Sequence, residues 1–576
     1  MKKFILSFIL FYISNVINAQ TATASKFLDI NRVKAAIMNG GDMHWDIFGT
    51  GNARYEVPKG NGVHSGFAAS LWIGGLDAGG QIHTACQTYR QTGNDFWPGP
   101  LDTTNATTNL TNITAFDKIW KVDYNDINTF ITQYNLGNVP LSYTPTPDIL
   151  TWPAKGTGNN SRNLAPFVDV NNNGIYDPMV GGDYPNIKGD QTLYFIFNDN
   201  FNSHTETGGL PFGVEIHAMA YSYGCGMTLS GRNELAYTTF YDYRIYNRSN
   251  NNYNNVYIGF WNDADLGCYN DDYISCSVQN NLGFMYNSIA IDGCGPNGYA
   301  NYPPAIGTTV LKGPLAPIGD GIDNNNNGVI DEANEQCLMN VFDYYNNNIG
   351  SFPVSTTNPK TKYHFYNLLQ GNWKDSTKFT CGGTGYGGTI PTKFVFPWNN
   401  YTGNPCGTWT ELTASNLTGD RRYIVSSGPF NLPAYGVTET EYAHVWSVDS
   451  SATTNRHIAS ANKLILDVQK IRSFYSSTQP NCLLSINTGI NNPKLNDSSL
   501  SIYPNPASSL LYIKSEETIG KSQIKVTDML GKTVLESKST DLYQTSINIE
   551  QLNSGIYFLN IKFDNNKSIV KKFVKN

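Results

Sequence analysis

Six short strand-like runs follow one another near the end of the chain: Leu510-Leu-Tyr-Ile513, Gln523-Ile-Lys-Val526, Thr533-Val-Leu-Glu536, Ser546-Ile-Asn-Ile549, Ile556-Tyr-Phe-Leu-Asn-Ile561 and Ile569 to Val574. Turn residues separate them, among them Met529-Leu-Gly-Lys532 and Asp564-Asn-Asn566. Strands of this length at such regular spacing are typical of a β-sandwich. The sequence therefore predicts a small β-sandwich domain in residues 500–576.

The longer region before it, residues 20–480, also predicts a β-rich fold. Clusters of Gly, Asn and Pro punctuate its apolar runs, which is the pattern of sandwiches rather than of alternating strands and helices. A Gly74-Gly75 turn is predicted after the first run. We therefore expect an all-β chain whose larger region is a β-sandwich of one or two subdomains. The predicted strands are Ser70–Ile73, Leu193–Phe197, Gly213–Tyr223, Ala236–Tyr246, Asn255–Trp261, Arg422–Ser426 and Glu441–Val448.

One long helix is predicted at the end of this region. From Thr454 to Tyr475, apolar residues recur near a 3.6-residue period, as on the buried face of a helix. We expect this helix to pack on the edge of the main domain. Residues 481–499 are rich in Ser, Asn, Thr and Pro and predict a linker.

The first 19 residues predict a secretory signal peptide. Lys2 and Lys3 precede an apolar run from Phe4 to Ile17, and Ala19 ends a small-residue cleavage site. The run is shorter than the roughly 20 residues that a membrane-spanning helix needs. We expect cleavage before Gln20 and no transmembrane segment in the mature chain.

The composition favours an extracellular protein and argues against a nucleic-acid partner. Charged residues make up only 15% of the chain while aromatic residues reach 13%, which suits tyrosine-rich strands. The net charge is −7, and no basic patch with interleaved aromatics is found. Nine cysteines suit an oxidising compartment. Cys268 with Cys276 and Cys381 with Cys406 are close enough to bridge local loops, although the sequence leaves the pairing open.

Three motifs of the C-terminal segment stand in a fixed order. They are Ser501-Ile-Tyr-Pro-Asn-Pro506, Val526-Thr-Asp-Met-Leu-Gly531 and Leu552-Asn-Ser-Gly-Ile-Tyr-Phe558, and a lysine-rich end follows. These motifs resemble the type A C-terminal sorting domain of the Bacteroidetes type IX secretion system. The resemblance implies a small immunoglobulin-like sandwich in residues 500–576 that the secretion machinery recognises. It also implies passage through the periplasm to the outer cell surface or the medium.

The larger region is similar to a poorly characterised family of large secreted Bacteroidetes β proteins. That resemblance brings no established activity. The phrases that carry it are Ser70-Leu-Trp-Ile-Gly-Gly-Leu-Asp77, Asn94-Asp-Phe-Trp-Pro-Gly-Pro100, the aspartate-rich Trp261 to Asp272, and Ser426-Ser-Gly-Pro-Phe430.

Residues 169–177 read Asp-Val-Asn-Asn-Asn-Gly-Ile-Tyr-Asp, the pattern of a short calcium-binding loop. Ca²⁺ takes about six to eight oxygen ligands, and acidic or amide residues at alternate positions before a turning Gly let one loop supply them. Val180 stands at position twelve and cannot coordinate, so the loop resembles the abbreviated thrombospondin type 3 or dockerin kind, with Asp183 as a closing residue. The candidate ligands are Asp169, Asn171 and Asn173 through side chains, Ile175 through its carbonyl, and Asp177.

A second copy of the pattern occupies residues 323–332, Asp-Asn-Asn-Asn-Asn-Gly-Val-Ile-Asp-Glu. The alternative for either loop is a plain Asn/Gly turn, but two copies in one chain favour calcium with a structural role. The candidate ligands are Asp323, Asn325, Asn327, Val329 through its carbonyl, Asp331 and Glu332.

Two further constellations leave their role open. Asp263, Asp265, Asp271 and Asp272 follow a predicted strand and form either another calcium site or a solvated loop. His204, Glu206, Glu215 and His217 either converge on a metal or serve as structural strand and loop residues, and the structural role is favoured because no HExxH helix accompanies them.

No catalytic motif is found. The sequence has no GxSxG elbow, P-loop or dinucleotide fingerprint, so no catalytic or cofactor-binding residue is assigned and the question of an enzyme stays open. We expect a calcium-stabilised binding, adhesive or structural protein with a glycan or protein ligand, rather than one with turnover. The alternative is a polysaccharide-binding or polysaccharide-degrading protein. Tryptophans that would stack on sugars, or else pack in the core, are Trp72, Trp97, Trp261, Trp373, Trp398 and Trp409.

Overall fold

A computed structural model describes residues 22–46, 51–90, 93–224, 233–347, 352–477, 500–515, 522–528, 532–539, 544–563 and 568–576. The chain divides into two units, Met1–Leu483 and Leu484–Asn576. Strands make up 37% of the structure and helices 14%, which confirms the predicted all-β class. The predicted signal peptide (residues 1–19) and the predicted linker (residues 481–499) lie outside the described residues.

The described part of the first unit is built mainly from antiparallel strands. All seven predicted strands are confirmed in it. In chain order the strands are β1 (Ser25–Leu28), β2 (Lys34–Met38), β3 (Asp42–Met43), β4 (Tyr55–Glu56), β5 (His64–Gly66), β6 (Ala68–Leu76), β7 (Ile82–Cys86), β8 (Trp97–Pro98), β9 (Trp120–Asp123), β10 (Phe167–Val168), β11 (Tyr184–Pro185), β12 (Gln191–Asn198), β13 (Val214–Ser222), β14 (Thr238–Asn247), β15 (Tyr253–Asp263), β16 (Asp272–Ser277), β17 (Leu282–Asn287), β18 (Ala305–Lys312), β19 (Val341–Asn346), β20 (Arg421–Leu432) and β21 (Val437–Ser447).

Most of these strands belong to two large sheets. The ten-stranded sheet runs β19-β20-β15-β6-β3-β2-β4-β5, with β1 paired to β2 and β7 to β6. The nine-stranded sheet runs β16-β17-β18-β21-β14-β13-β12-β8, with β9 paired to β12. Strands β10 and β11 form a separate two-stranded ribbon, with Phe167 opposite Pro185.

The two large sheets face each other across one hydrophobic core. The ring of Phe260 on β15 lies 4.9 Å from Tyr442 on β21, and the hydroxyl of Tyr55 on β4 lies 3.0 Å from Thr239 Oγ1 on β14. Phe260 is wholly buried, and burial of such a side chain contributes on the order of 2 kcal/mol. The first unit is therefore a β-sandwich.

Helices cover the outer face of the nine-stranded sheet in two places. The insertion between β8 and β12 carries α1 (Leu110–Phe116), α2 (Tyr124–Asn135), α3 (Pro147–Leu150) and α4 (Pro178–Gly181). Helix α2 is missed by the periodicity argument because only Ile127 and Phe130 of its twelve residues are buried. Of the remaining helices, α5 is Asn233–Ala236, α6 is Lys362–Leu369 and α7 is Arg456–Ser476.

Helix α7 confirms the predicted late helix. Leu464 and Val468 are wholly buried in one cluster with Leu282 and Phe284 of β17 and Val445 of β21. The helix therefore covers part of the outer face of the nine-stranded sheet. Among the helices of the described ranges, none is long and apolar enough to cross a membrane.

The predicted Gly74-Gly75 turn is wrong, since both glycines lie inside β6. A Cβ atom on Gly74 would approach Tyr366 and Leu369 of α6 to 2.8 and 2.9 Å. Glycine at this position lets helix α6 pack directly on the strand. The close contact, and not a turn, explains why the residue is glycine.

Two disulfides occur among the described cysteines. Cys381–Cys406 is one of the two pairs considered from the sequence, whereas Cys268 bonds Cys294 and not Cys276. Cys276 is buried on β16 as a free thiol. Cys276 is a candidate partner from the sequence because it is close to Cys268 along the chain. In the fold, the β16–β17 hairpin instead brings Cys294 back to the loop that holds Cys268.

The second unit forms two sheets around a small apolar core. The three-stranded sheet runs β22-β23-β26 and the four-stranded sheet runs β25-β24-β27-β28. Ile513 from the first sheet and Leu559 from the second are wholly buried in this shared core. The six strands predicted here are found, and β22 adds a seventh. They are β22 (Leu500–Tyr503), β23 (Leu510–Ser515), β24 (Ser522–Thr527), β25 (Thr533–Ser539), β26 (Gln544–Asn548), β27 (Gly555–Phe563) and β28 (Ser568–Lys575).

Candidate metal-binding loops and a polar cleft

The first predicted calcium loop connects β10 to β11. The carboxylate of Asp169 accepts hydrogen bonds from two backbone groups of the loop, Asn173 N at 3.1 Å and Gly174 N at 2.8 Å. The amide oxygens of Asn171 and Asn173 accept from Asn173 N at 3.1 Å and Ile175 N at 2.7 Å. The turn is therefore closed through the oxygens of all three predicted side chains.

Two carboxylates close the far side of this loop. Asp177 accepts from the side-chain amides of Asn173 at 3.0 Å and Asn171 at 3.5 Å. Asp183 is wholly buried and accepts from Val170 N at 2.8 Å and Asp177 N at 3.0 Å. Burial, together with the nearby Asp177 carboxylate, raises the pKa of Asp183. Asp183 thus braces both ends of the loop.

The second predicted loop repeats the pattern between β18 and β19. Asp323 accepts from Asn327 N at 3.0 Å and Gly328 N at 2.8 Å. The amide oxygens of Asn325 and Asn327 accept from Asn327 N at 3.0 Å and Val329 N at 2.7 Å. Each of the four bonds has its counterpart in the first loop, within 0.1 Å of the same length.

Both loops share their two left-handed positions. The φ angles are 57° at Asn172 and 74° at Gly174, and 60° at Asn326 and 93° at Gly328. Glycine adopts this region freely and asparagine tolerates it better than most residues. The Asn-Asn-Gly sequence of each loop is therefore what the tight backbone path requires.

The closing carboxylate of the second loop is Glu332. Its Oε1 accepts from the side-chain amides of Asn325 at 2.6 Å and Asn327 at 2.5 Å, and these bonds lower its pKa. Its Oε2 is buried and has no hydrogen-bond partner among the described residues. Asp331 instead accepts from Gly321 N at 3.2 Å, a backbone group that precedes the loop.

The donor set of both loops fits a calcium ion. Carboxylate, amide and backbone oxygens are the ligands that Ca²⁺ takes. Each such oxygen has two lone pairs, so one that accepts a backbone N–H keeps a lone pair for a cation. The unpartnered Oε2 of Glu332 is an oxygen that such a cation would satisfy.

The aspartate-rich segment that starts at Asp263 contributes to two separate groups. Single carboxylate oxygens of Asp263, Asp265 and Asp420 lie within 4.8 Å of one another, and burial raises the pKa of Asp263 to about 6. Asp271 instead lies beside Asp292 and Cys268. Asp292 and Asp420 are not sequence candidates because they come from other loops, and no local spacing links them to this segment.

The four histidine and glutamate candidates do not converge. Both ring nitrogens of His204 lie 2.6 Å from backbone carbonyls, those of Thr84 and Asp199. Glu206 accepts from the Thr88 hydroxyl. In the described ranges these residues join no metal-ligating group with Glu215 or His217. The structural role favoured from the sequence fits His204.

Glu215 and His217 form a charged cluster on the outer face of β13. Glu215 Oε1 lies 2.7 Å from His217 Nε2 and accepts from Arg248 at 2.6 Å. Burial opposes ionisation of Glu215, but the hydrogen bonds from His217 and Arg248 outweigh it and lower the pKa of Glu215 to about 2. Glu215 is therefore an anion that fixes the imidazole of His217.

A cleft of about 700 Å³ lies over this cluster on the outer face of the nine-stranded sheet. Tyr194, His217 and Tyr246 from three adjacent strands line it, and Phe167 and Asp169 at the start of the first loop form part of its wall. The ring of His217 lies 4.8 Å from that of Tyr246. The Tyr194 hydroxyl is buried and has no hydrogen-bond partner within the described structure.

Ion pairs line the rest of this cleft. Lys188 lies 2.8 Å from Asp242, and Arg244 lies 2.6 Å from Glu439, which also pairs with Lys312. An aromatic ring can stack on the face of a ligand such as a sugar, and charged groups beside it can hydrogen-bond to the hydroxyls of that ligand. The candidate tryptophans do not take part, since all except the partly exposed Trp398 are buried.

A comparison with protein families identifies the second unit. Residues 501–576 match the secretion system C-terminal sorting domain. This confirms the resemblance of the tail, and the tail indicates export to the cell surface or into the medium. No curated protein matches the chain in sequence, so the comparison does not confirm the wider family suggested for the larger region.

Three solved structures are remotely similar to this chain. An immunoglobulin-like β-sandwich protein of the DUF3244 family from Bacteroides vulgatus shares 21% identity over 14% of this chain and 85% of that chain, with a TM-score of 0.13. A polysaccharide lyase shares 7% identity over 68% of this chain and 37% of its own, with a TM-score of 0.17. The BSP domain of a biofilm-associated protein shares 9% identity over 67% of this chain and 59% of that chain, with a TM-score of 0.13.

Proposed function

We propose that this chain is an exported, calcium-stabilised binding protein of the cell surface or the medium, acting without catalytic turnover. Residues 1–19 serve in this proposal as the signal peptide and residues 481–499 as the linker to the sorting tail. The ligand is a glycan or another protein. Calcium holds the two loops in shape and takes no part in chemistry.

The observation that carries the calcium proposal is the repeated geometry of the two loops. Asp169 and Asp323 make the same pair of backbone hydrogen bonds, although the loops lie in different connections of the fold. Each loop also holds a further carboxylate, Asp177 or Glu332, against the amides of its asparagines. A cation bound among these oxygens would screen the carboxylates from each other and fix the loop ends.

Calcium titration of the full chain tests this proposal. We expect Asp169→Ala and Asp323→Ala each to lower the number of bound Ca²⁺ ions by one. Each filled site adds about 2.7 kcal/mol of stability at a calcium concentration about 100-fold above its Kd. A chelator should therefore lower the melting temperature of the parent more than that of either variant.

Asp375→Ala is the matched control. Asp375 accepts from Thr377 N at 3.0 Å in an exposed turn outside both loops. Asp375→Ala therefore removes a similar turn hydrogen bond at a place where no calcium site is proposed. The control should bind as many ions as the parent. Equal ion counts in the parent and both loop variants would refute the calcium proposal.

The polar cleft favours a second candidate, a polysaccharide-binding protein. Tyr246 is partly exposed and offers a ring face, and the ion pairs offer hydrogen bonds, which together are what sugar recognition uses. The first loop forms part of the cleft wall through Asp169, so binding there would depend on calcium.

Affinity electrophoresis against a panel of polysaccharides, in calcium and in chelator, tests this candidate. We expect Tyr246→Ala to weaken the retardation by about tenfold or 1.4 kcal/mol, while Tyr435→Ala, which removes an exposed tyrosine that does not line the cleft, leaves it unchanged. A retarding polysaccharide would then be assayed for cleavage. Retardation equal in the parent and Tyr246→Ala would exclude the cleft as the sugar site.

A further inference from the structure

We propose that Asp263, Asp265 and Asp420 form a third site, for a hard divalent cation, at one end of the ten-stranded sheet. Asp263 is the last residue of β15, Asp265 follows in the next loop, and Asp420 directly precedes β20. The proposal is independent of the two loops described above, because it uses none of their residues.

The spacing of the three carboxylates fits one ion. Ca²⁺ binds oxygens at about 2.3–2.6 Å, so two oxygens on opposite sides of one ion are at most about 5 Å apart. One oxygen of each of Asp263, Asp265 and Asp420 lies within 4.8 Å of the others. All three can therefore contact the same cation.

A buried oxygen without a partner points to a missing ligand. The side chain of Asp263 is wholly buried, and its Oδ2 accepts from the Tyr89 hydroxyl at 2.6 Å. Its Oδ1 has no hydrogen-bond partner among the described residues. Leaving a buried acceptor unsatisfied lowers stability, and more so when the group is charged. A cation that binds this oxygen would satisfy it.

The charge of the cluster also calls for a cation. Arg422 lies 2.9 Å from Asp263 and pairs with Asp420, but it supplies one positive charge for three carboxylates. The carboxylate of Asp265 accepts no hydrogen bond from any described residue. A divalent ion would balance the two remaining negative charges.

The donor atoms select the class of metal. Carboxylate oxygens alone suit Ca²⁺, Mg²⁺ or Mn²⁺, whereas Zn²⁺ is usually held by Cys and His. The neighbouring group of Asp271, Asp292 and Cys268 is a poorer site, because the Cys268 sulfur is bonded to Cys294 and is not a thiolate. That group supplies a matched control.

Metal titration of the full chain with Ca²⁺ and with Mn²⁺ tests the third site. Asp265→Asn should lower the number of bound ions by one, whereas Asp271→Asn, which removes a nearby carboxylate outside the site, should leave the count unchanged. Asn is isosteric with Asp and relieves repulsion within the cluster, so in chelator the Asp265→Asn variant should melt at or above the temperature of the parent.

A loop-free background separates this proposal from the calcium loops. The double variant Asp169→Ala/Asp323→Ala should still bind one ion, and adding Asp265→Asn should abolish that binding. Unchanged ion counts on adding Asp265→Asn in both backgrounds would overturn the third site, whatever the loops do. Loss of all binding in the double variant would overturn it as well, and would leave the loop proposal standing.

Discussion

Two buried histidines make the stability of the β-sandwich depend on pH. His44 and His444 stack between the sheets with ring centroids 5.7 Å apart, and both are buried. His444 Nδ1 lies 2.8 Å from Thr308 Oγ1, and His44 Nε2 lies 2.8 Å from the Tyr241 hydroxyl. Burial lowers the pKa of His444 to about 3 and that of His44 well below its ordinary value. Both rings are therefore neutral in the folded protein.

We predict that His444 makes the larger unit less stable in mild acid. The unfolded chain takes up a proton at this histidine near pH 6.5, while the folded chain does so only near pH 3. The free energy of unfolding therefore falls as pH drops below about 6.5, by about 1.4 kcal/mol at pH 5.5, and the loss stops growing near pH 3. Urea unfolding at pH 7.5 and pH 5.5 should show His444→Gln losing about 1.4 kcal/mol less than the parent between these two values.

Thr308→Val is the control for this prediction. It removes the hydroxyl that contacts His444 but keeps the histidine, so it should lower stability at both pH values and keep the parent's dependence on pH. Equal pH dependence in His444→Gln and the parent would contradict the prediction, because it would mean that His444 has the same pKa in the folded and the unfolded chain.

At the scale of elements, α7 shows what a helix gains from one buried face. Leu464 is wholly buried against the nine-stranded sheet, whereas Leu466, two residues on, is 57% exposed. The 3.6-residue period places these two leucines on different faces, and only the first is in contact with the sheet.

We predict that Leu464→Ala lowers the free energy of unfolding by about 2–5 kcal/mol, because it leaves a cavity between α7 and the sheet. Leu466→Ala should change it by less than about 0.5 kcal/mol. Urea unfolding followed by tryptophan fluorescence measures both. Similar losses in the two variants would mean that α7 does not pack as described.

Elements of the fold are predictable from the sequence where one local pattern suffices. The strand at Leu193–Phe197 and helix α7 can be recognised in the sequence, because buried residues repeat at a fixed spacing along a strand or a helix. The role of Gly74 could not be predicted in this way. The local sequence does not distinguish a glycine in a turn from a glycine under a packed helix, and the contact with α6 is visible only in the structure.

The candidate sites divide in the same way. The candidate ligands of each predicted calcium loop lie within ten residues, so their spacing alone marks them, and only the orientations of Asp331 and Glu332 need the structure. Asp420 joins Asp263 only through the pairing of β15 with β20. The cleft likewise draws on six strands and on the loops near them, and no one stretch of sequence contains it.

At the scale of the whole molecule, the sorting tail and the larger unit have separate hydrophobic cores. The core of the tail includes Ile513, Val526 and Leu559, all wholly buried, and draws on residues 502–573 only. A unit with its own core can present a folded signal whatever protein precedes it. Export should therefore depend on the folded tail and not on the sequence of the larger unit.

We predict that residues 500–576 suffice to export a periplasmic reporter in a type IX-secreting host, and that the reporter without them stays in the periplasm. Leu559→Asp should abolish export, because it places a charge in the core of the tail. Gln551→Asp introduces the same charge on the exposed surface and should leave export unchanged. Fractionation of cells and medium, with immunodetection of the reporter, measures the outcome. Export that survives Leu559→Asp would mean that the machinery reads the sequence of the tail without requiring its fold, and export without the tail would mean that the signal lies elsewhere.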